Sequence, residues 1–412
     1  MLEKSRILAG PPLARGREAW AEHRARLGPL PSADGTIEAM ERSGALGRGG
    51  AGFPIGRKWR SVAVRSAGGA VVVANGAEGE PRSYKDRTLM TARPHLVLDG
   101  ALLAAGAVGA DQLIVYVGSE HRSAIEAIQR AIAERPEPMA HRIRLVQAPA
   151  TYVAGESSAI VNYLNAHDAR PTSVPPRPYQ RGVGDRPTLV QNVESLAVAA
   201  LVARFGPDWF RSAGRLTTRG TALVSVSGPI AASGVREIEY GTTLRELAGL
   251  SGGATAGVRA VLLGGYFGGW ASIDPSTWDR PLDPAALAED GLGFGCGLVG
   301  YLSADDCGVR ATAHILRYMA GESARQCGPC VFGLGAIAET TQRLAAGRGQ
   351  DGDLHHLTRW ATQIVGRGAC HHPDGAAGLL SSALDVFAAE FRLHEEGRRC
   401  SRPGSATRAV AS

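Results

Sequence analysis

Two glycine- and acid-rich segments within thirty-five residues, Gly47-Arg-Gly-Gly-Ala-Gly-Phe53 and Asn75-Gly-Ala-Glu-Gly-Glu-Pro81, restrict this chain more than any other feature. The second follows directly on Val71-Val-Val-Ala-Asn75, a β-branched run that reads as a buried strand. Open α/β sheets place ligands at the carboxyl ends of their strands, so Asn75, Glu78 and Glu80 are candidates for a binding edge. Gly47, Gly49 and Gly52 satisfy G-x-G-x-x-G, yet Ile37-Glu-Ala-Met-Glu-Arg-Ser43 before them reads as helix, where a dinucleotide fingerprint needs a strand. The loop is either a structural turn or an anion cradle, in which glycines let backbone N–H groups approach a phosphate and Arg48 and Lys58 add charge. Tyr152-Val-Ala-Gly-Glu-Ser157 is a further glycine–acid turn. An Asn amide both donates and accepts, which suits the edge of a flavin ring, and glutamates can accept from ribityl or nicotinamide groups. The plainer reading of the acidic pair is a solvated turn.

The surrounding pattern alternates. After the strand come helices around Leu89–Thr91 and Leu96–Val108, a strand at Leu113–Val117, an amphipathic helix over Ser123–Glu134, a strand at Arg142–Val146 and a helix containing Ala159–Leu164. Strands alternating with helices predict an α/β layer architecture. Pro171–Pro187 reads as a long ordered loop. From Thr217 to Asp306 the pattern becomes short strands and turns, including Ala222–Ser227 and Val258–Leu263, with one helix at Thr243–Ala248. From Ala311 to His394 apolar residues recur at helical spacing (Ile315, Met319; Leu384, Phe387, Phe391), which reads as a helical bundle. Residues 1–35 are interrupted by Pro and Gly and read as an irregular arm, and the last dozen residues as a loose tail.

A chain of 412 residues with 20% charged and 44% hydrophobic residues has the material for two or three cores. Its net charge of +6 is dispersed, with no basic stripe, so a nucleic-acid partner is disfavoured. The most apolar stretch, Leu96–Ala110, contains Asp99 and is too short to span a bilayer. The expectation is a soluble, cytoplasmic protein. Six cysteines are too few for a disulfide framework, but Cys327-Gly-Pro-Cys330 with Cys370 beyond it makes a thiolate cluster suited to metal. By spacing alone it is either an iron–sulfur site or, with an adjacent His, a closed Cys3His zinc site. Cys296, in a Gly-rich turn, and Cys400, in the tail, read as ordinary cysteines.

Taken in order, Gly47–Trp59, Asn75–Asp86 with Lys85-Asp86-Arg87, Tyr152–Leu164, Pro187-Thr-Leu-Val-Gln-Asn-Val-Glu-Ser195 and the late cysteines resemble the NADH-oxidising flavoprotein subunit of respiratory complex I. Related subunits of NAD-reducing hydrogenases and formate dehydrogenases share the pattern, and the resemblance covers residues 36–400. It implies an N-terminal arm (1–35), an α/β FMN- and NADH-binding domain (36–216), a small α+β domain of β-grasp type (217–308), a helical iron–sulfur domain (309–400) and a tail (401–412). FMN contacts are implied for Gly47, Arg48, Gly49, Lys58, Asn75, Gly155, Glu156 and Asn192, and cofactor contacts also for Gly50, Gly52, Glu78, Tyr152, Ser157 and Glu194. Phe53 and Glu80 are implied at the nicotinamide side, as catalytic residues. The cluster ligands would be Cys327, Cys330 and Cys370. The implied activity passes electrons from NADH through FMN to an iron–sulfur cluster and on to other redox subunits, such as a ferredoxin-like protein, in a complex peripheral to a membrane.

The chain also departs from that pattern. Ala77 stands where an Asp is usual, and Ser157 replaces the second of two adjacent glutamates. Around Val174-Pro-Pro-Arg177 a Lys and an adenine-stacking Phe are missing, and Ser61 sits where a second stacking aromatic is expected. One lost base–aromatic stack costs about 1–3 kcal/mol, roughly 5- to 150-fold in affinity; the planar guanidinium of Arg177 can recover part of it. In the cysteine motif Ala324 takes the first position, leaving three thiolates for a cluster, 4Fe–4S or 3Fe–4S, that normally has four ligands. His371, His372 and Cys307 are candidate substitutes. The losses cluster at the site, which makes an electron-transfer or assembly subunit that no longer oxidises NADH the competing reading.

Overall fold

The computed structural model describes residues 5–67, 69–398, 400 and 402. They form two units, one of residues 1–224 with 237–242 and one of residues 225–236 with 243–412. The tail predicted for 401–412 lies, apart from residue 402, outside the described residues.

In the first unit the chain runs through α1 (Trp20–Leu27), α2 (Thr36–Ser43), α3 (Ile55–Ala63), β1 (Ala70–Gly76), α4 (Lys85–Ala92), α5 (Pro94–Val108), β2 (Ala110–Gly118) and α6 (Arg122–Glu134). It continues with β3 (Arg144–Ala148), α7 (Ser157–Ala166), β4 (Thr188–Asn192), α8 (Val193–Phe205) and α9 (Pro207–Arg211). The four strands are parallel, in the order β3-β2-β1-β4. Parallel sheets are covered on both faces, and this one follows the rule. Val71, Val73, Ile114, Tyr116 and Val190 pack with Ile160 of α7 on one side. Val72, Ala74, Leu113 and Val115, which alternate with them, are equally buried, and α5 and α8 contact β1. Local chemistry sets the helix limits. Pro94 opens α5, where its missing N–H costs nothing, and Gly109 closes it in the left-handed conformation at φ 66°. Asn192 caps α8 by accepting from the Glu194 N–H.

The arm before α2 is ordered, against the expectation of an irregular segment. It carries α1, and a buried polar network pins it down. Glu18 accepts a bidentate pair from Arg26 at 2.8 Å, and His23 Nε2 lies 2.8 Å from Asp99. Asp99 also receives Arg135 and Arg204, while Arg93 donates to the carbonyls of Leu8, Ala9 and Pro11. Charged anchors leave no apolar period, so the sequence pattern does not reveal this helix.

In the second unit the chain passes from β5 (Thr221–Ser227) and β6 (Gly234–Glu239), which begin or end in the first, to α10 (Leu244–Leu250), β7 (Val258–Leu263), β8 (Gly269–Ser272), α11 (Pro284–Glu289) and β9 (Leu298–Ser303). Its mixed sheet has the order β6-β5-β9-β7-β8; β9 runs parallel to β5 and antiparallel to β7. The turn-rich pattern predicts one helix among these strands, and α11 is a second, capped by Asp283. Five helices follow, α12 (Gly308–Gly321), α13 (Leu334–Ala345), α14 (Asp353–Ile364), α15 (His372–Val386) and α16 (Ala388–Glu395), as the helical spacing predicts. No helix among the described residues is long and apolar enough to cross a membrane.

Asp99 is buried, yet the hydrogen bond from His23 and the charges of Arg135 and Arg204 outweigh burial and hold its carboxyl down at about 2. A folded-state value below the ordinary 3.8 means this contribution is present above about pH 4 and is lost as pH falls toward 2. Replacing Asp99 with Ala leaves buried guanidinium charge unpaired. Urea unfolding at pH 7 should show a loss of about 3–5 kcal/mol, and the variant should lack the acid-dependent loss assigned to this carboxyl.

Candidate functional site

The strand order reverses between β1 and β4, which makes their carboxyl ends the topological switch point where open α/β sheets bind ligands. Asn75 and Asn192 are register partners there. The predicted segments meet at this edge. Asn75 Nδ2 donates to Gly155 O at 3.0 Å, and the Tyr152 hydroxyl to Glu80 at 3.2 Å. Lys58 Nζ donates to Val190 O at 2.5 Å. The turns touch closely enough to require glycine. A Cβ on Gly79 would lie 2.6 Å from Tyr152 O, and one on Gly155 2.8 Å from Ala77 O.

The predicted residues divide into two sets. Gly49, Gly50, Gly52, Phe53 and Glu156 are exposed, and Gly47, Lys58, Asn75, Tyr152, Gly155 and Ser157 are partly so. Arg48, Glu78, Glu80, Asn192 and Glu194 are buried. Those five do not form a solvated acidic turn, nor does Arg48 present its charge at the surface. Glu78 caps the start of α4, accepting from Ser83 Oγ and from the N–H groups of Asp86 and Arg87. Arg48 donates to Glu194 at 2.9 Å and to Leu223 O at 3.0 Å. Glu194 accepts in addition from the Leu223 N–H and pairs with Lys85 at 3.0 Å. Asn192 donates to Asp86 at 2.8 Å. In the sequence Lys85 and Asp86 stand only as markers, and their role in this frame is missed there. Burial opposes ionisation of Glu194, but Arg48 and Lys85 keep its carboxyl below the ordinary range. Burial is the main reason Asp86 is pushed up to about 6.

Lys58 lies at the floor of the edge, partly open to solvent yet surrounded by protein. Burial pulls its ammonium down to about 8, with the Glu156 carboxylate opposing. A cation held at a cost, beside glycine turns that present backbone N–H groups and no side chains, suits a phosphorylated flavin. The residues at this edge fit FMN.

In the second unit Cys327 opens a tight turn in which its carbonyl accepts from the Cys330 and Val331 N–H groups. The structure brings the three predicted thiols together. Burial first, then the neighbouring Cys327 and Cys370, push the Cys330 thiol up to about 12. A bound metal centre relieves that repulsion among thiolates, so the donors fit an iron–sulfur cluster with three cysteine ligands. Among the suggested substitutes, Cys307 is engaged elsewhere. His371 is exposed and pairs with Asp374 at 3.0 Å. Cys307 lies 3.5 Å from His394 Nε2, and with Cys400 these donor atoms fall within 4.8 Å of one another. Cys400 is thus no ordinary tail cysteine. His394 Nδ1 is bonded to Leu344 O at 2.8 Å, so its Nε2 faces the two sulfurs, a donor set of the kind that holds zinc. His372 Nε2 is bonded to Met319 O at 2.7 Å, and its ring packs edge-on to Phe267. Cys296, as expected, plays no part in either set and bonds Gly264 O.

A flavin edge on a parallel sheet and a cysteine cluster on a helical bundle, carried by one chain, define a flavin- and iron–sulfur-binding redox subunit. Residues 40–200 match the family model of the Nuo51 FMN-binding domain, and residues 310–394 that of the NADH-ubiquinone oxidoreductase-F iron–sulfur binding region. The chain is 33% identical over 391 residues to the F subunit, form 2, of the NADH-quinone oxidoreductase of Rhizobium meliloti, covering 89% of this chain and 90% of that protein. It is 30% identical to the HndC subunit of the NADP-reducing hydrogenase of Solidesulfovibrio fructosivorans, over 88% of this chain and 76% of the relative. A chain of the crystal structure of an air-oxidised NAD+-reducing [NiFe]-hydrogenase superposes with a TM-score of 0.81 at 29% identity, over 96% of this chain and 70% of that one. The chain belongs to the family of the NADH-quinone oxidoreductase F subunits and their hydrogenase counterparts.

The lowered value at Lys58 has a measurable consequence. Between about pH 8 and 10.5 the unfolded chain binds this proton more tightly than the folded one, so stability should rise with pH across that window. Lys58→Met removes the rise. Thermal unfolding without flavin, followed from pH 7 to 10.5, should show a flatter profile for the variant, and flavin titration at pH 7 a weaker affinity.

Proposed function

We propose that this chain is the NADH-oxidising, FMN- and iron–sulfur-dependent module of a multisubunit redox complex. The observation that carries the reading is the meeting of the Gly47–Phe53, Asn75–Glu80, Tyr152–Ser157 and Asn192–Glu194 segments at the β1/β4 switch point. Gly47, Gly49, Gly50, Gly52 and Lys58 would hold the flavin phosphate. Asn75, Gly155, Glu156 and Ser157 would flank the ring and ribityl chain. Phe53, half-exposed at 51%, offers a ring for the nicotinamide side. Glu80, steadied by Tyr152, would fix its carboxamide. Arg48, Glu78, Asn192 and Glu194 act through the frame. When bound, FMN and the cluster at Cys327, Cys330 and Cys370 supply the exchange between a two-electron donor and one-electron carriers. The protein's part is to orient the nicotinamide and keep the flavin phosphate in place.

The mixed sheet of the second unit is read as a β-grasp module, with domain limits at 217–308, and the helices over 309–400 as the cluster domain. For the outgoing partner we favour a ferredoxin-like protein. Beside Cys330, a solvent-facing groove of about 360 Å³ is lined by Gly328, Pro329, Phe332, Trp360 and Arg367, and Phe332 is 76% exposed. An exposed ring in an apolar groove that carries one cation, Arg367, offers an acidic electron carrier both contact and counter-charge. The site of action would be cytoplasmic, peripheral to a membrane-bound complex.

The test is an anaerobic UV–visible titration of the full chain with NADH. Flavin bands that bleach support the reading. Bands that respond to dithionite alone favour a subunit that has lost NADH oxidation, in line with Ala77 and the exposed Val174–Arg177 segment, which has no aromatic. Phe332→Asp should leave bleaching unchanged and slow reduction of a [2Fe–2S] ferredoxin about tenfold, the size of a modest interface hot spot.

A further inference from the structure

Three thiolates leave one corner of a four-iron cluster without a cysteine, and Ala324 carries no donor. The polypeptide around that gap holds an unexplained group. The Ser323 hydroxyl oxygen is buried and has no hydrogen-bond partner among the described residues. Such a group costs about 1–3 kcal/mol and calls for a reason. Its position supplies one. Ser323 stands next to Ala324, where the ligand is missing, and four residues before Cys327, so the chain keeps it beside the cysteine turn. The backbone there is also unusual, since Arg325 takes a positive φ of 51° that non-glycine residues seldom adopt. Cys307 faces His394 and Cys400, and His371 is exposed, with its Nδ1 paired to Asp374.

We propose that Ser323 is the fourth ligand, closing the cluster through its oxygen in place of the cysteine absent at Ala324. The proposal rests on the iron–sulfur reading of the Cys327, Cys330 and Cys370 site. Ligation exchanges the ligand on one iron: the Ser323 O–H proton joins an iron-bound hydroxide and leaves as water, while an iron–oxygen bond to the serine alkoxide forms. One hard oxygen donor among three thiolates makes that iron unlike the other three and alters the cluster's charge distribution, hence its potential.

The experiment compares full-length wild type, Ser323→Ala and Ser323→Cys, each reconstituted anaerobically with ferrous ion and sulfide. Iron is then counted and Mössbauer and electron paramagnetic resonance spectra recorded before and after ferricyanide. An open corner is labile: ferricyanide takes one electron, one ferrous ion leaves, and a [4Fe–4S]2+ core becomes [3Fe–4S]+. Wild type should keep its four irons, one of them spectroscopically distinct. Ser323→Ala should lose one iron and show the three-iron signal, and Ser323→Cys should keep four and lose the distinct site. Far-UV circular dichroism and bound flavin report whether Ser323→Ala is folded; if it is not, Ser323→Cys decides alone, and persistence of the distinct iron overturns the proposal. Wild type that releases iron, Ser323→Ala that resists, or zinc in place of iron overturns it as well. A failure of NADH to bleach the flavin would count against the proposed activity and leave these iron readings untouched.

Discussion

The carboxylate of Glu194 is the point on which the first unit's binding edge depends. Fully buried, it accepts from Arg48 and from the Leu223 N–H and pairs with Lys85. Those partners belong to the glycine loop, the beginning of β5 and the beginning of α4, while Glu194 itself sits in the first turn of α8. Lys85 extends the network to Asp86, and Asp86 to Asn192. Burying this many charges is costly, and removing any one leaves its neighbours uncompensated, a penalty of several kcal/mol. Burial pulls against ionisation of both Asp86 and Glu194; at Glu194 the charges of Arg48 and Lys85 outweigh it, and at Asp86 burial prevails.

Around that frame the glycine turns bring backbone to the edge. Close approaches at Gly79 and Gly155 lock the turns after β1 and β3 together while leaving their backbone accessible. Lys58, beside this edge, is held against its own preference, since burial works to strip its proton. Sites built for anionic ligands commonly carry such a cost, and it is recovered only when the ligand arrives.

The second unit shows the same economy with sulfur. Its six-residue stretch from Arg325 to Cys330 crowds thiols whose mutual repulsion is unfavourable until a metal centre binds. Cys307, His394 and Cys400 gather independently at the two ends of the helical segment, with the histidine tautomer set by Leu344 O. Arg259, Glu390 and the Gly308 N–H tie the sheet of this unit to α12 and α16, which fixes the frame from which Cys307 and His394 project.

The sequence alone determined the elements and the chemistry that its local patterns encode. Apolar runs marked β1, β2 and β3 but not β4, helical spacing marked the helical segment of α12 to α16, and the glycine–acid turns and late cysteines marked where ligands belong, because propensity, periodicity and turn chemistry act over a few residues. Tertiary structure decided which of the marked residues face the edge and which hold it. Arg48, Glu78, Asn192 and Glu194 carry the same residue types as a lining would, and only their burial against partners up to 175 positions away tells them apart. It also ordered the N-terminal arm through Asp99, brought Cys400 back to Cys307, and left the Ser323 hydroxyl without a partner among the described residues. These outcomes depend on charge pairing and desolvation between segments distant in the chain, which no local pattern records.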